Sequence, residues 1–406
     1  MSAAPRTDAE QWSLRAEAAA HTVNAGFGHR LLGIPGTWLA SVKSPSRPGP
    51  SRHRPRSSLA PWVQWHYWWQ AHYLDALVDS AWREKALGQA TPELPATKRP
   101  AANRGDPFLQ SQRLLRAIRL RNFLRLTNSY YDDMAWLALA AGRLDELALD
   151  TNKIGLRSAR RAKVVLETQL VRAHTNDLGG GIFWSRKRDF KNTPATGPSA
   201  LYFARNGQPD RAQSLVDWLR STLFDPKQGL YLDGVHPHPS GPEIEPTIYS
   251  YNQGPVLGAM LELGGERNLA HAAELIDAVA RHLSTAQTAD DGGTLRPLRL
   301  HGGGDGGLFT GILVRYLAIA ARHPDLAART RRLAGDLVLD TAEVLWAGRN
   351  RDSNPVFSSD IGLPADVTYS AGKMVELSTQ LQAWETFEAA FRLTAPGDDA
   401  GTGVTD

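Results

Sequence analysis

Apolar residues recur along this chain at helical spacing and almost never at the two-residue alternation of a strand. Ala162, Val165, Leu166 and Leu170 fall on one face of a helix. Phe309, Ile312, Leu313, Tyr316, Leu317 and Ala320 repeat that period in another. Several such segments open just after a polar or glycine-containing turn, near Asp133, Pro198, Pro255, Gly311 and Gly372, at steps of roughly 60 residues. At Gly197–Pro198 and Gly254–Pro255 the pattern predicts helix starts, with glycine near the N-cap and proline at the first helical position. A further helix, carrying Trp62, Trp65, Trp68 and Trp69, lies one such step upstream of Asp133. Each interval also holds a second helix, as over residues 156–173 and 272–283. Six inner starts with six outer helices between them predict an all-α (α/α)6 barrel, a ring of six helical hairpins, with residues 1–406 as one domain. The repeated turns gather at one end of the inner helices, and loops gathered at one end of a scaffold make a binding face.

Composition narrows the function classes. The 406 residues include no cysteine, which excludes disulfide scaffolds, thiolate metal sites and a cysteine nucleophile. The formal charge of +4 is small for this length, so no nucleic-acid partner is expected. The longest apolar run, Met134 to Ala141, is too short to span a bilayer. With no apolar leader visible at the start, a cytoplasmic location is expected. Residues 43–58 and 91–107 are dense in proline and poor in apolar side chains, and are expected as inserted linkers. Twelve tryptophans are many for such a chain, and suit a large core or a groove for sugar rings.

The candidate chemistry sits at the predicted inner-helix starts. Asp132 and Asp133, flanked by Tyr130, Tyr131 and Trp136, place two carboxylates side by side. As caps they complement the helix dipole, but one acid suffices for that. In an aromatic-walled cleft their repulsion keeps one protonated while the other ionises, the equipment for glycosidic bond cleavage. Gly179-Gly180-Gly181-Ile182-Phe183-Trp184 offers either a sugar-stacking indole beside pliable backbone or a tight turn over a buried tryptophan. In Tyr251-Asn252-Gln253 the amides suit hydroxyl recognition or helix capping equally. The run His301 to Gly307 has the form G-x-G-x-x-G but no βαβ context, so it reads as a turn presenting Asp305 to the cleft. His236 and His238 lack a third ligand at recognisable spacing, and no metal site is expected.

Taken in order, YYDDMAWLALA, GGGIFW with the following KN and GP, GLYLDG, YSYNQG, GDGGLFTGILVRYL and ELSTQLQAWETF resemble glycoside hydrolase family 76, the endo-α-1,6-mannanases. These blocks run from about Trp62 to Phe387. The resemblance implies an (α/α)6 barrel and hydrolysis of α-1,6-linked mannan with retention, with no cofactor. It further implies Asp132 as nucleophile and Asp133 as general acid/base, with Tyr131, Trp184, Asn192, Tyr251, Asn252 and Gln253 lining the sugar subsites. Two positions depart from the family pattern: Thr196 stands where asparagine is expected and Thr310 where lysine is. Transglycosylation on the same site, sugar epimerisation and non-catalytic mannan binding are the competing readings.

Overall fold

A computed structural model describes residues 7–46, 65–90, 105–288, 292–370 and 373–395. Its helices are α1 (Asp8–Gly26), α2 (Tyr67–Ala90), α3 (Pro107–Arg121), α4 (Tyr131–Asn152), α5 (Arg157–Ala173), α6 (Thr193–Arg205) and α7 (Pro209–Thr222). There follow α8 (Ser250–Leu263), α9 (Gly265–His282), α10 (Gly306–Ala321), α11 (Ala328–Ala347), the short α12 (Ala365–Thr368) and α13 (Leu377–Thr394). Helices α2, α4, α6, α8, α10 and α13 pack each on the next, and α13 returns to α2, closing an inner ring. Against them lie α3, α5, α7, α9 and α11, each hairpinned to the inner helix before it. The sixth outer position belongs to α1, which packs along α13, so the two ends of the chain complete the (α/α)6 barrel together. Strands are two or three residues long and confined to the loops.

Side-chain pattern decides which ring a helix joins. In α5 the buried residues are Ala159, Ala162, Leu166, Leu170 and Ala173, one stripe, and six charged side chains lie on the remaining faces. In α10 nearly every residue from Gly307 to Ala320 is buried, as a helix enclosed on all sides requires.

The glycine–proline pairs work differently from the sequence expectation. Helix α6 begins at Thr193 and α8 at Ser250, so Pro198 and Pro255 lie inside the helices, at the sixth helical residue of each. Their glycines serve packing between inner helices. A Cβ on Gly254 would stand 2.8 Å from the Tyr316 ring, and one on Gly197 3.1 Å from Val256. The start expected near Gly311 lies earlier too, at Gly306, and Gly311 instead lets α10 meet the α13 backbone at Gln382.

Lys43–Pro45, where the first linker was expected to begin, forms a strand antiparallel to Met374–Glu376. Pro107, expected to end the second linker, opens α3 behind an Asp106 cap. Residues 47–58 and 91–104 of these stretches, Trp62 and Gly372 lie outside the described residues.

Because the inner helices run in one direction, their N-termini meet at one end and their C-termini at the other. The C-terminal end holds a cavity of about 820 Å³. Asp75 and Asp79 there pair with Arg143 and Arg315, and Asp79 also with Arg392, at 2.9 Å. Buried charges require such partners, and these cations also face the negative ends of the helix dipoles.

Candidate active site

Tyr130 is the N-cap of α4 in extended conformation, which puts Asp132 and Asp133 at the second and third helical positions. Neither caps the helix from the front. Asp132 Oδ1 accepts the Asp133 backbone N–H at 2.9 Å, and its Oδ2 accepts the indole N–H of Trp184 at 2.9 Å. The Asp133 carboxyl is held by the Asn128 amide, whose own Oδ1 accepts the Tyr130 N–H at 2.9 Å. Trp184 is brought there by backbone bonds, its carbonyl accepting Tyr131 N–H at 2.8 Å and its N–H donating to Phe190 at 2.7 Å. Its ring rests against Tyr130, centroids 4.9 Å apart, and stays 37% exposed, so one face is open to a ligand.

Electrostatics separate the two acids. Burial raises Asp132 to about 7, helped by the charge of Asp233 and opposed by the donors from Asp133 and Trp184. Burial also pushes Asp133 far above the usual carboxylate range, with the charges of Asp132 and Asp305 adding to it against the Asn128 bond. The donors on Asp132 favour its ion, while that ion disfavours a second charge on Asp133. The pair therefore carries one proton over a broad pH range, and it sits on Asp133.

A third carboxyl joins them. Asp233 follows the strand Leu230–Tyr231, accepts the Asn252 amide at 3.0 Å, and is raised to about 6 by burial and by Glu245. Asp305, at the start of α10, accepts the Trp69 indole N–H at 3.0 Å. Tyr251 stands among them: burial raises its hydroxyl, and the charges of Asp233, Asp132 and Asp305 all push the same way. Its ring stacks on Phe309 at 4.0 Å, and Trp68, Tyr249 and His301 pack on Phe309 in turn. The result is an aromatic basin holding four carboxyl groups, built from the first turns of α2, α4, α8 and α10 and the loop residues Trp184 and Asp233.

The model of glycosyl hydrolase family 76 matches residues 51–397. The chain belongs to that family. The family 76 α-1,6-mannanase of Salegentibacter sp. HEL1_6 is 26% identical, with 93% of this chain and 98% of that one covered and a TM-score of 0.71. An inactive variant of the same enzyme, both aspartates changed to asparagine, was solved with α-1,6-mannotriose: identity 25%, coverage 94% and 99%, TM-score 0.72. The Lin0763 protein of Listeria innocua, 22% identical over 93% of this chain and 96% of its own at a TM-score of 0.68, shares the fold. No functionally curated protein matches the sequence.

Within this family 76 framework the expected site residues fall into two groups. Asp132, Asp133, Trp184, Tyr251, Asn252 and Asp305 stand together around the basin. Tyr131, Asn192 and Gln253 are placed otherwise. Tyr131 points into the core, and its neighbour Tyr130 is the tyrosine beside Trp184. Asn192 is the N-cap of α6, its Oδ1 accepting Ala195 N–H at 3.1 Å. Gln253 is fully buried and clasps the Tyr231 backbone, accepting its N–H and donating to its carbonyl, both at 2.9 Å. That clasp carries the chain toward Asp233, so Gln253 positions the third carboxyl from behind. The two departures from the family pattern are buried braces as well. Thr196 accepts the Ile182 N–H at 3.1 Å, and Thr310 donates to the Arg299 carbonyl at 2.8 Å.

The triple glycine forms a tight turn, but the buried tryptophan beneath it is Trp218, and Trp184 keeps an exposed face. Gly180 and Gly181 have positive φ (142° and 73°), and a Cβ on either would stand 2.6–2.8 Å from the Trp218 ring. Lys191 ties that turn down, donating to the carbonyl of Thr175 at 3.0 Å and to those of Asp177 and Gly180. Asn128, Asp233 and Trp69 were not singled out as site residues. Asp233 lies in the GLYLDG block, and nothing local distinguishes it from a turn aspartate.

Proposed function

We propose that this chain hydrolyses α-1,6-mannosidic linkages in mannan by a retaining double displacement, with Asp132 as nucleophile and Asp133 as acid/base. The observation that carries the reading is the adjacent pair sharing one proton, with the hydrogen-bond donors on Asp132. In the first step an Asp132 carboxylate oxygen attacks the anomeric carbon as the glycosidic C–O bond breaks, and Asp133 gives its proton to the departing sugar oxygen. In the second, Asp133, now ionised, takes a proton from water as the water oxygen displaces Asp132 from the anomeric carbon. Trp184 holds the attacking carboxylate in place, and the Tyr251–Phe309 and Trp68 surfaces supply apolar faces for sugar rings. The mannanase bound to α-1,6-mannotriose supports the choice of sugar and linkage.

The test is release of reducing ends from unbranched α-1,6-mannan, with proton NMR reading the configuration of the first product. Wild type should release the α-anomer first, and Asp132→Asn should lose roughly a thousandfold or more in kcat while still binding mannotriose. A β-anomer as first product would overturn the double displacement. Binding without turnover in wild type would overturn the hydrolase.

A further inference from the structure

The loop between α3 and α4 carries the most exposed large apolar side chain among the described residues, Phe123 at 84%, next to Leu124 at 62%. Both adopt left-handed backbone, with φ of 53° and 63°, a conformation that bulky L-residues avoid. Their surroundings impose it. Asn122 donates through its amide to the carbonyls of Arg125 and Thr127 at 3.2 and 3.1 Å, Arg125 N–H returns to Asn122 at 3.0 Å, and Arg119 Nε holds the Leu124 carbonyl at 3.2 Å. A stapled turn that drives two apolar side chains outward, against backbone preference, is a device for meeting something apolar.

The charge beside it is one-sided. Between Asp106 and Asp132 the sequence holds five arginines and no acid or lysine. Three of them, Arg113, Arg116 and Arg119, step along α3 and line a groove of about 680 Å³ with Arg161 of α5, over a floor that includes Leu109, Leu115, Leu120 and Leu126. None of those four arginines has an ion-pair partner among the described residues, whereas the arginines at the far end of the barrel are paired. Arg161 also lies in the first turns of α5, where the helix dipole disfavours a cation. An apolar tip, an arginine stripe and an apolar floor without acids complement anionic headgroups over acyl chains.

We propose that the α3 face and the Phe123–Leu124 tip dock on an anionic lipid bilayer, the tip entering the acyl boundary and the arginines meeting headgroup phosphates. Five residues lie between Leu124 and Tyr130 at the catalytic helix start, six chain steps that span at most about 20 Å, so docking brings the mouth of the basin to the membrane surface.

Flotation of the full chain with phosphatidylcholine vesicles, with and without phosphatidylglycerol, tests this, with soluble heparin as a polyanion lacking acyl chains. Wild type should float with anionic vesicles only, and rising salt should release it. Phe123→Asn with Leu124→Asn should lower that binding at least tenfold, and Arg116→Gln and Arg161→Gln should each lower it about fivefold. Asparagine accepts left-handed backbone, so the double loop variant should melt no lower than wild type; a binding loss then reports on the surface and not on folding. Failure of wild type to float, or flotation unchanged in the loop variant, would overturn the proposal. Heparin offers charge without acyl chains and should bind wild type and loop variant alike; wild type binding heparin as tightly as anionic vesicles would assign the face to soluble polyanions and overturn the proposal too.

Discussion

Asp132 and Asp133 show how one proton shared by two neighbours sets both rate and stability. As the proposed nucleophile Asp132 must be ionised, and its value of about 7 should make kcat/KM rise through neutrality. As the proposed acid Asp133 must keep its proton, and the rate should fall only where that proton leaves, at higher pH. A pH–rate profile should therefore show its acid limb near 7. Stability runs the other way. A carboxyl raised in the folded state holds a proton that the unfolded chain has already released, so the fold weakens as pH climbs from about 4 through 7. Asp132→Asn removes that penalty. Thermal melting at pH 8 should find the variant more stable than wild type by roughly 1–3 kcal/mol, and the difference should vanish near pH 4. The pair was legible in sequence because adjacent acids between aromatics are a poor way to cap a helix. Asn192 and Gln253 were not legible in the same way, since an amide that caps or clasps backbone has the same chemistry as one that binds a hydroxyl. Only position separates the two uses.

At the scale of elements, turns recurring at steps of roughly 60 residues located the inner helices, while the glycine–proline pairs misplaced two starts by five residues. Proline is tolerated one turn further in than the start rule assumes, provided close neighbours fix the helix. Gly197 and Gly254 supply that closeness by admitting Val256 and Tyr316. The same logic governs the triple glycine. Gly181→Ala puts a methyl against Trp218 on a backbone with φ of 73°, and should lower stability by about 2–4 kcal/mol. Denaturant titration reads this directly. The turn also carries Trp184, so the variant's residual activity at low denaturant should fall as well, through loss of the indole bond on Asp132.

Across the whole molecule the two ends of the barrel carry opposite electrostatic designs. Six helix N-termini surround the carboxylates whose protons are held too tightly; six C-termini face Arg143, Arg315 and Arg392, which secure Asp75 and Asp79. Burial opposes ionisation of Asp79, but these three arginines outweigh it and hold it well below the usual carboxylate range, and Asp75 is lowered for the same reason. Acids lowered in the fold stabilise it above about pH 4 and lose that contribution as pH falls further. Combined with the opposite sign at the Asp132–Asp133 end, melting temperature should peak at about pH 4, well to the acid side of the expected activity optimum. Asp79→Asn should cost about 3–5 kcal/mol by stranding buried guanidinium charge, a loss that added salt does not restore. None of this network was legible in sequence, because its members come from α2, α4, α10 and α13 and meet only when the ring closes.

That closure has a consequence for how the protein comes into being. The strip of α1 that includes Trp12, Ala16, Ala19 and Val23 is made before the whole inner ring, yet its partner α13 is made after the other five inner helices. Trp12 stacks on Phe387 only once some 370 intervening residues have emerged from the ribosome. The nascent chain thus carries an unsatisfied greasy strip until α13 has been made. A circular permutant that joins the two termini and opens the chain between α11 and α12 would make α13 and α1 consecutively, and should reach the native state with less aggregation and less help from chaperones.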